Sequence, residues 1–375
     1  MPKMSHRERV MRAYNHEEPD RIPMDLMGNA TMLLDKTYLR LRDYLGFDPI
    51  PPIRSGTTAN YYDERILERF DIDFRRIFLK KNPKARLITH EDETYTDIWG
   101  VRYRKVGLYV SAVNSPLQHA QTVEHVKSYN WPKAIDMFTV DGLADEARQM
   151  YDETDYALVA RNPLSEGFLD RSCQLMGMAE FLMILALKPD LARYLISRLL
   201  DIYLDVYGMF LDEVGPYVQM VEVGDDLGTQ QNTLISPQMY REFIKPAEAK
   251  LYGLIHEKAP NAALFRHCDG AIFDVIPDLI EVGVNVLNPV QTSVKGMGAL
   301  ELKKTYGESI TFHGAVEILE GEVPTGTVKA EIKRLIDVFA PGGGYILGSC
   351  NHMIDVKPEN IVTMFETARE YGRLR

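Results

Sequence analysis

Several short apolar runs in the chain end in residues able to carry a proton, bind a metal or act as a nucleophile. One run ends in Glu222-Val223-Gly224-Asp225-Asp226-Leu227-Gly228 and the next in Arg266-His267-Cys268-Asp269-Gly270. Further runs end in Asn288-Pro289, His313-Gly314 and Gly348-Ser349-Cys350-Asn351-His352, and an early one contains Asp25 with Asn29 just beyond Gly28. Asp225 and Asp226 are adjacent carboxylates that repel, so one can keep its proton to higher pH and serve as an acid or base. The plain alternative is an exposed loop in which one of them caps a turn. If the strand before it persists, His267 and Asp269 share one side and Cys268 takes the other. Imidazole, carboxylate and the Cys350 thiol together suit a borderline-soft ion such as zinc, with one position left open for catalysis. Such an ion would lower the pKa of a bound acceptor. A single histidine after a strand also serves as a hydrogen-bonded structural residue, and that reading stays open.

These residues give an expected site. Asp225, Asp226, His267 and Asp269 are the catalytic candidates. Glu222, His267, Asp269 and Cys350 are the metal-ligand candidates. Asp25, Asn29, Arg161, Asn288 and His313 are the substrate-binding candidates. Cys173 and Cys268 read as buried small hydrophobes.

The elements that must position them follow from periodicity. Apolar runs at 22–27, 74–79, 157–160, 217–223, 262–265, 284–287, 310–312 and 344–347 read as strands, and helical stretches separate them. Ser5-His6-Arg7-Glu8 is a capping box that opens a first helix. A helix over 36–45 stops at Gly46, and Pro189 starts a long amphipathic helix. Further helices are expected at Ser236-Pro237, 272–279, 300–306, 328–339 and from Pro358 to Tyr371. About eight strands alternating with helices predict a single (β/α)8 TIM barrel, whose function sits at the carboxyl ends of the strands. No GxGxxG follows the first strand, which counts against an open doubly wound sheet. Between 88 and 113 the period changes to two around Gly100, so a β-hairpin insertion, within about 80–150, is expected over one mouth of the barrel. Ala340-Pro341-Gly342-Gly343-Gly344 leads into a strand and not a helix, and is read as a tight turn at the opposite end.

Composition narrows the function classes. With 45% apolar and 26% charged residues the chain is that of a soluble globular protein, and no apolar run approaches a membrane span. The charged amino-terminal segment lacks a signal-peptide core, and three cysteines cannot form a disulfide framework, so a cytoplasmic location is expected. A net charge of -11, with the basic stretch Lys80, Lys81, Lys84, Arg86 read as a solvated face, argues against nucleic-acid binding.

The segments RVMRAYNHEEPDRIP, GDDLGTQ, LISPQMYREFIKPAEAKL, HCDGAIFDVIPDLIEVGVNVLNPVQ, TFHGAV and APGGGYILGSCNHMIDVKPENI together resemble the uroporphyrinogen decarboxylase superfamily, over nearly the whole chain. That superfamily includes a haem-pathway decarboxylase and corrinoid-dependent methyltransferases. The decarboxylase carries an arginine-rich segment after its first strand, where this chain has Met24-Asp25-Leu26-Met27-Gly28-Asn29-Ala30. A polycarboxylate tetrapyrrole would find little positive charge there. The resemblance therefore implies the methyltransferase branch, in which a barrel brings a small methyl donor or acceptor to a corrinoid (cobalamin) on a separate binding protein. Thiol-methylating members hold zinc with an H-x-C motif and a later cysteine. His267 matches the histidine and Cys350 the later cysteine, while Asp269 stands where the middle cysteine would be. Either a zinc with an oxygen ligand or direct acid–base assistance without a metal fits that departure. GDDLGTQ is similar to members that demethylate small compounds such as aryl methyl ethers. The alternatives are a decarboxylase of a smaller acid, with Arg161 or Arg266 as the cation, and a non-catalytic barrel.

Overall fold

The structure is a computed structural model that describes residues 3–29, 31–54, 58–85, 87–107 and 109–373; Ala30 and Arg86 lie outside them. Seven parallel strands run side by side in chain order: β1 Phe74–Ile77, β2 Ala157–Ala160, β3 Met220–Gly224, β4 Ala263–His267, β5 Val286–Asn288, β6 Thr311–Val316 and β7 Tyr345–Ser349. Segment 22–26 stands between β7 and β1. Asp25 N donates to Leu347 O and Leu347 N to Pro23 O, each at 2.9 Å, and Asp73 N donates to Met24 O at 3.1 Å. The ring is thereby closed as a TIM barrel. Segment 22–26, expected as a full strand, is reduced to this bridging role because Pro23 has no N–H and Met24 N donates to the Asp73 carboxylate at 2.8 Å.

The strands are continuously apolar because both their faces are buried. Phe74, Ala157, Val159, Met220, Ala263, Phe265, Val286 and Ile346 pack inside the barrel around Val10 of the first helix. Their neighbours Leu158, Val221, Leu264, Leu287 and Leu347 point outward into the larger core between sheet and helices. The expected helices are present, including His6–Tyr14 with Ser5 accepting from Glu8 N, Pro189–Val214 and Pro358–Tyr371. Gly342, Gly343 and Gly344 all have φ between 72° and 75°, and a Cβ on Gly343 would lie 2.6 Å from Glu17 O, so the turn below β7 requires glycine.

The stretch expected as one hairpin is a four-stranded antiparallel meander, Ile88–Thr89, Tyr95–Thr96, Arg102–Val106 and Tyr109–Asn114. It rests beside the helix Phe168–Met176 that follows β2. Tyr103 Oη donates to Gln174 Oε1 at 3.1 Å, and the Arg171 guanidinium sits 4.6 Å from the centre of the Trp99 ring. Among the described residues no helix is long and apolar enough to cross a membrane.

Candidate active site

Alternation along the strands builds the site. Two residues beyond the apolar interior positions Phe74, Val159, Met220, Phe265 and Val286 stand Arg76, Arg161, Glu222, His267 and Asn288, and two beyond the buried Thr311 stands His313. One step toward the carboxyl ends therefore turns the interior from apolar to polar. Asp25, from segment 22–26, joins this layer.

Charge in the layer is paired internally. Arg76 donates to both Asp25 oxygens at 2.5 Å and lies 3.4 Å from Glu222 Oε1, while Arg161 Nη1 lies 3.1 Å from Glu222 Oε2. Burial alone would raise the Asp25 carboxyl, but Arg76 and His313 hold it well below the usual carboxylate range. Glu222, expected as a metal ligand, is instead the buried counter-ion of two arginines. Arg266, proposed from sequence as a cation in the mouth, points the other way. As the outward neighbour of His267 it is fully buried against Glu248 at 2.8 Å and donates to Asp225 O at 2.7 Å.

A hydrogen-bonded chain leads from Asp25 across the barrel. His313 Nε2 meets Asp25 Oδ2 at 2.9 Å, Asn288 Nδ2 meets His313 Nδ1 at 2.8 Å, and His267 Nδ1 meets Asn288 Oδ1 at 2.7 Å. Its polarity follows from one end. An ionised Asp25 can only accept, so His313 Nε2 donates and Nδ1 of the neutral ring accepts from the Asn288 amide. The Asn288 oxygen then accepts from His267 Nδ1, which leaves His267 Nε2 with a free lone pair. Asn288 and His313, expected to bind substrate, are thus buried links in this chain.

His267 Nε2 faces Asp226 Oδ1 at 3.7 Å, and Asp226 Oδ1 also accepts from Asp269 N at 3.0 Å. One donor atom from each of Asp226, His267 and Asp269 lies within 4.8 Å of the others, and all three side chains are half-buried. Asp269 Oδ1 is buried with no hydrogen-bond partner. Burial, with Asp226 adding to it against the pull of His267, raises the Asp269 carboxyl above its ordinary value. A ring nitrogen with a free lone pair, a carboxylate oxygen without a donor and a second carboxylate form a donor set that fits a divalent ion with positions left open. Cys350, expected as a further ligand, stands outside this trio. It is buried, and burial, reinforced by Glu317 and Asp269, pushes its thiol well above the ordinary range and keeps it protonated.

Asp225 has a different task from Asp226. Its two oxygens accept from Leu169 N and Asp170 N, each at 2.8 Å, and so cap the helix Phe168–Met176, whose own N-cap is Gly167. The capping alternative to a catalytic Asp225 therefore describes its contacts. Asp170 was not foreseen. It accepts from Asp226 N at 2.9 Å, and burial, followed by the charges of Asp225 and Asp226, raises it to about 9. The signal was slight, a first-turn acid on a helix whose partner is 56 positions away. Arg76 was missed as well, although an arginine inside an apolar run marks a buried pair. Asn29 is at the mouth, since a Cβ on Gly224 would lie 3.2 Å from His267 Cβ and 3.7 Å from Asn29 Nδ2. Cys268 is buried as expected, whereas Cys173 is only half-buried, with its thiol raised to about 12 by burial and then by Asp170 and Asp225.

The profile of the uroporphyrinogen decarboxylase (URO-D) family matches residues 165–371, more than half of the chain. Among solved structures, a methyltransferase from Methanosarcina mazei is similar over 98% of this chain and 99% of that one, with a TM-score of 0.68 and 16% identity. At that identity the likeness is one of fold. Xylanase 10B from Thermotoga maritima covers 63% of this chain and 81% of its own, with 12% identity and a TM-score of 0.39, too low to carry an argument. No curated protein matches the sequence.

Proposed function

The chain belongs to the uroporphyrinogen decarboxylase family, and from that premise we propose that it is a cytoplasmic methyltransferase acting on a small methylated compound, such as an aryl methyl ether, and a corrinoid carried by a partner protein. The observation that carries this reading is the chain Asp25–His313–Asn288–His267, which presents His267 Nε2 to Asp226 and Asp269 at the barrel mouth. Breaking a methyl–oxygen bond leaves the electron pair on oxygen, and an alkoxide or phenolate leaves poorly unless it is protonated or bound to a Lewis acid. Taking up a proton on its free Nε2, His267 would become an imidazolium facing the Asp226 carboxylate and would pass that proton to the departing oxygen. A reduced corrinoid on the partner protein would supply the nucleophile that accepts the methyl group, so the residues of this chain would need to form no covalent intermediate. In the metal version His267, Asp226 and Asp269 would hold zinc, which supplies Lewis acidity to the departing heteroatom. The fold shared with the Methanosarcina mazei methyltransferase agrees with this reading.

A decarboxylase needs a free cation to bind its acid. Of the three arginines, Arg76 is held by Asp25 and Arg266 by Glu248, while Arg161 shares the Glu222 carboxylate with Arg76 and its Nη1 makes no hydrogen bond. To test the assignment, purified protein is mixed with cob(I)alamin and a panel of methyl ethers, thioethers and methylamines. Formation of methylcobalamin with at least one donor is expected. Carbon dioxide release from small acids, with no methyl transfer from any donor, would overturn it.

A further inference from the structure

The insertion encloses a second space that the site chemistry does not use. A cavity of about 450 Å³ lies between the meander and the loop 163–166 that follows β2. That size falls within the ~300–1,000 Å³ typical of small-molecule sites. Its walls carry the aromatic rings of Tyr95, Trp99, Tyr103 and Phe138, with Tyr95 and Tyr103 stacked at 5.5 Å. Its polar end is built around Arg171. The Nη atoms of Arg171 are held by Gln174 Oε1, Leu164 O and Glu166, with the Asp97 carboxylate of the chamber wall 3.9 Å from Nη1 and the Trp99 ring beside the guanidinium. Arg171 Nε, however, is buried and has no acceptor. An orphaned guanidinium N–H costs roughly 1–3 kcal/mol unless something accepts from it. Lys81, on the rim, is exposed and has no ion-pair partner among the described residues. The cavity also shares Glu166 and Gln174 with a neighbouring groove that contains Asp226, the carboxylate facing His267.

We propose that this chamber is the substrate-specificity subsite and that it takes an aromatic ring bearing an anionic oxygen substituent. The ring would lie among Tyr95, Trp99, Tyr103 and Phe138, where stacked and edge contacts reward a flat apolar body. The substituent would accept from Arg171 Nε and meet the positive Lys81 at the rim. The shared Glu166–Gln174 wall then directs the other end of the molecule toward Asp226. This inference rests on the methyl-transfer reading for its link to catalysis, but binding can be measured without it.

The test uses 4-methoxybenzoate as probe, without cob(I)alamin, and follows quenching of tryptophan fluorescence in the Trp131→Phe variant, which leaves Trp99 as the reporter among the two tryptophans. Saturable quenching is expected, with affinity at least tenfold weaker when Val110→Phe, a substitution at an exposed lining position, narrows the chamber without adding a tryptophan. Lys81→Glu should weaken 4-methoxybenzoate while leaving uncharged anisole unchanged, with circular dichroism confirming that each variant is folded. Absence of saturable quenching, or affinity unaffected by Val110→Phe, would overturn the subsite. Ring binding without methyl transfer from any donor would instead overturn the methyltransferase reading and leave the subsite standing.

Discussion

Asn288 illustrates how much of this site depends on residues that never touch a substrate. Its amide links two histidines, accepting from one and donating to the other, and so sets the tautomer of each. Replacement by leucine keeps the volume but leaves His313 Nδ1 without a donor and His267 Nδ1 without an acceptor. We expect turnover to fall roughly 10–100-fold, the usual effect of losing a group that orients a ligand or base. A lowered melting temperature with an unchanged rate would show that the link is structural only. Asp170 gives a second residue-scale prediction. The native carboxyl keeps its proton to about pH 9, because it is partly buried and faces Asp225 and Asp226, while the unfolded chain releases it near the ordinary carboxylate value. The native state therefore binds more protons between those limits, so this group makes stability fall as pH rises toward 9. Asp170→Asn retains an acceptor for Asp226 N, and its melting temperature should decline less than that of the wild type between pH 6 and 9. Parallel declines would refute the assignment. At this scale the sequence was informative where a residue ends a strand, as with His267, Asp226 and Asp269. It was silent where the partner is remote, as with Arg76 and Asp170.

The elements show why the adjacent pair Asp225–Asp226 divides its labour. β3 ends at Gly224, and the chain turns so that Asp225 meets the exposed N–H groups of the helix Phe168–Met176 while Asp226 faces the mouth. A helix with glycine at its own N-cap relies on this borrowed cap. Asp225→Ala should cost about 1–2 kcal/mol of unfolding free energy, the usual value of a lost cap, and Asp225→Asn less. Urea unfolding measures both, and equal stability for all three proteins would contradict the capping role. Helices were readily legible, because Ser5, Gly46, Pro189 and Pro358 mark their ends chemically. Strand ends were not. β4 runs on to His267, which only its pairing with β3 and β5 fixes. The meander in the insertion was read as one hairpin because two of its strands, Ile88–Thr89 and Tyr95–Thr96, are only two residues long, too short for a periodic signal.

On the scale of the whole molecule, the barrel separates stability from chemistry. At its amino-terminal end Arg9 and Arg21 grip Asp73 at 2.7 and 2.8 Å, with Asp20 and Asp71 as further partners, and Val10 fills the interior. At its carboxyl end the interior becomes polar and converges on His267. Counting apolar runs was enough to predict this closed ring, since eight buried strands joined by helices leave few other packings. The reaction is the part that fold alone does not carry, and it rests on one side chain. Single-turnover methyl transfer to cob(I)alamin, followed by cobalt absorbance for the wild type and for folded His267→Ala, tests it most directly. A rate lower by roughly 10²–10⁴, the share that acid–base assistance commonly supplies, is the predicted result. A His267→Ala protein that transfers methyl groups at the wild-type rate would contradict it.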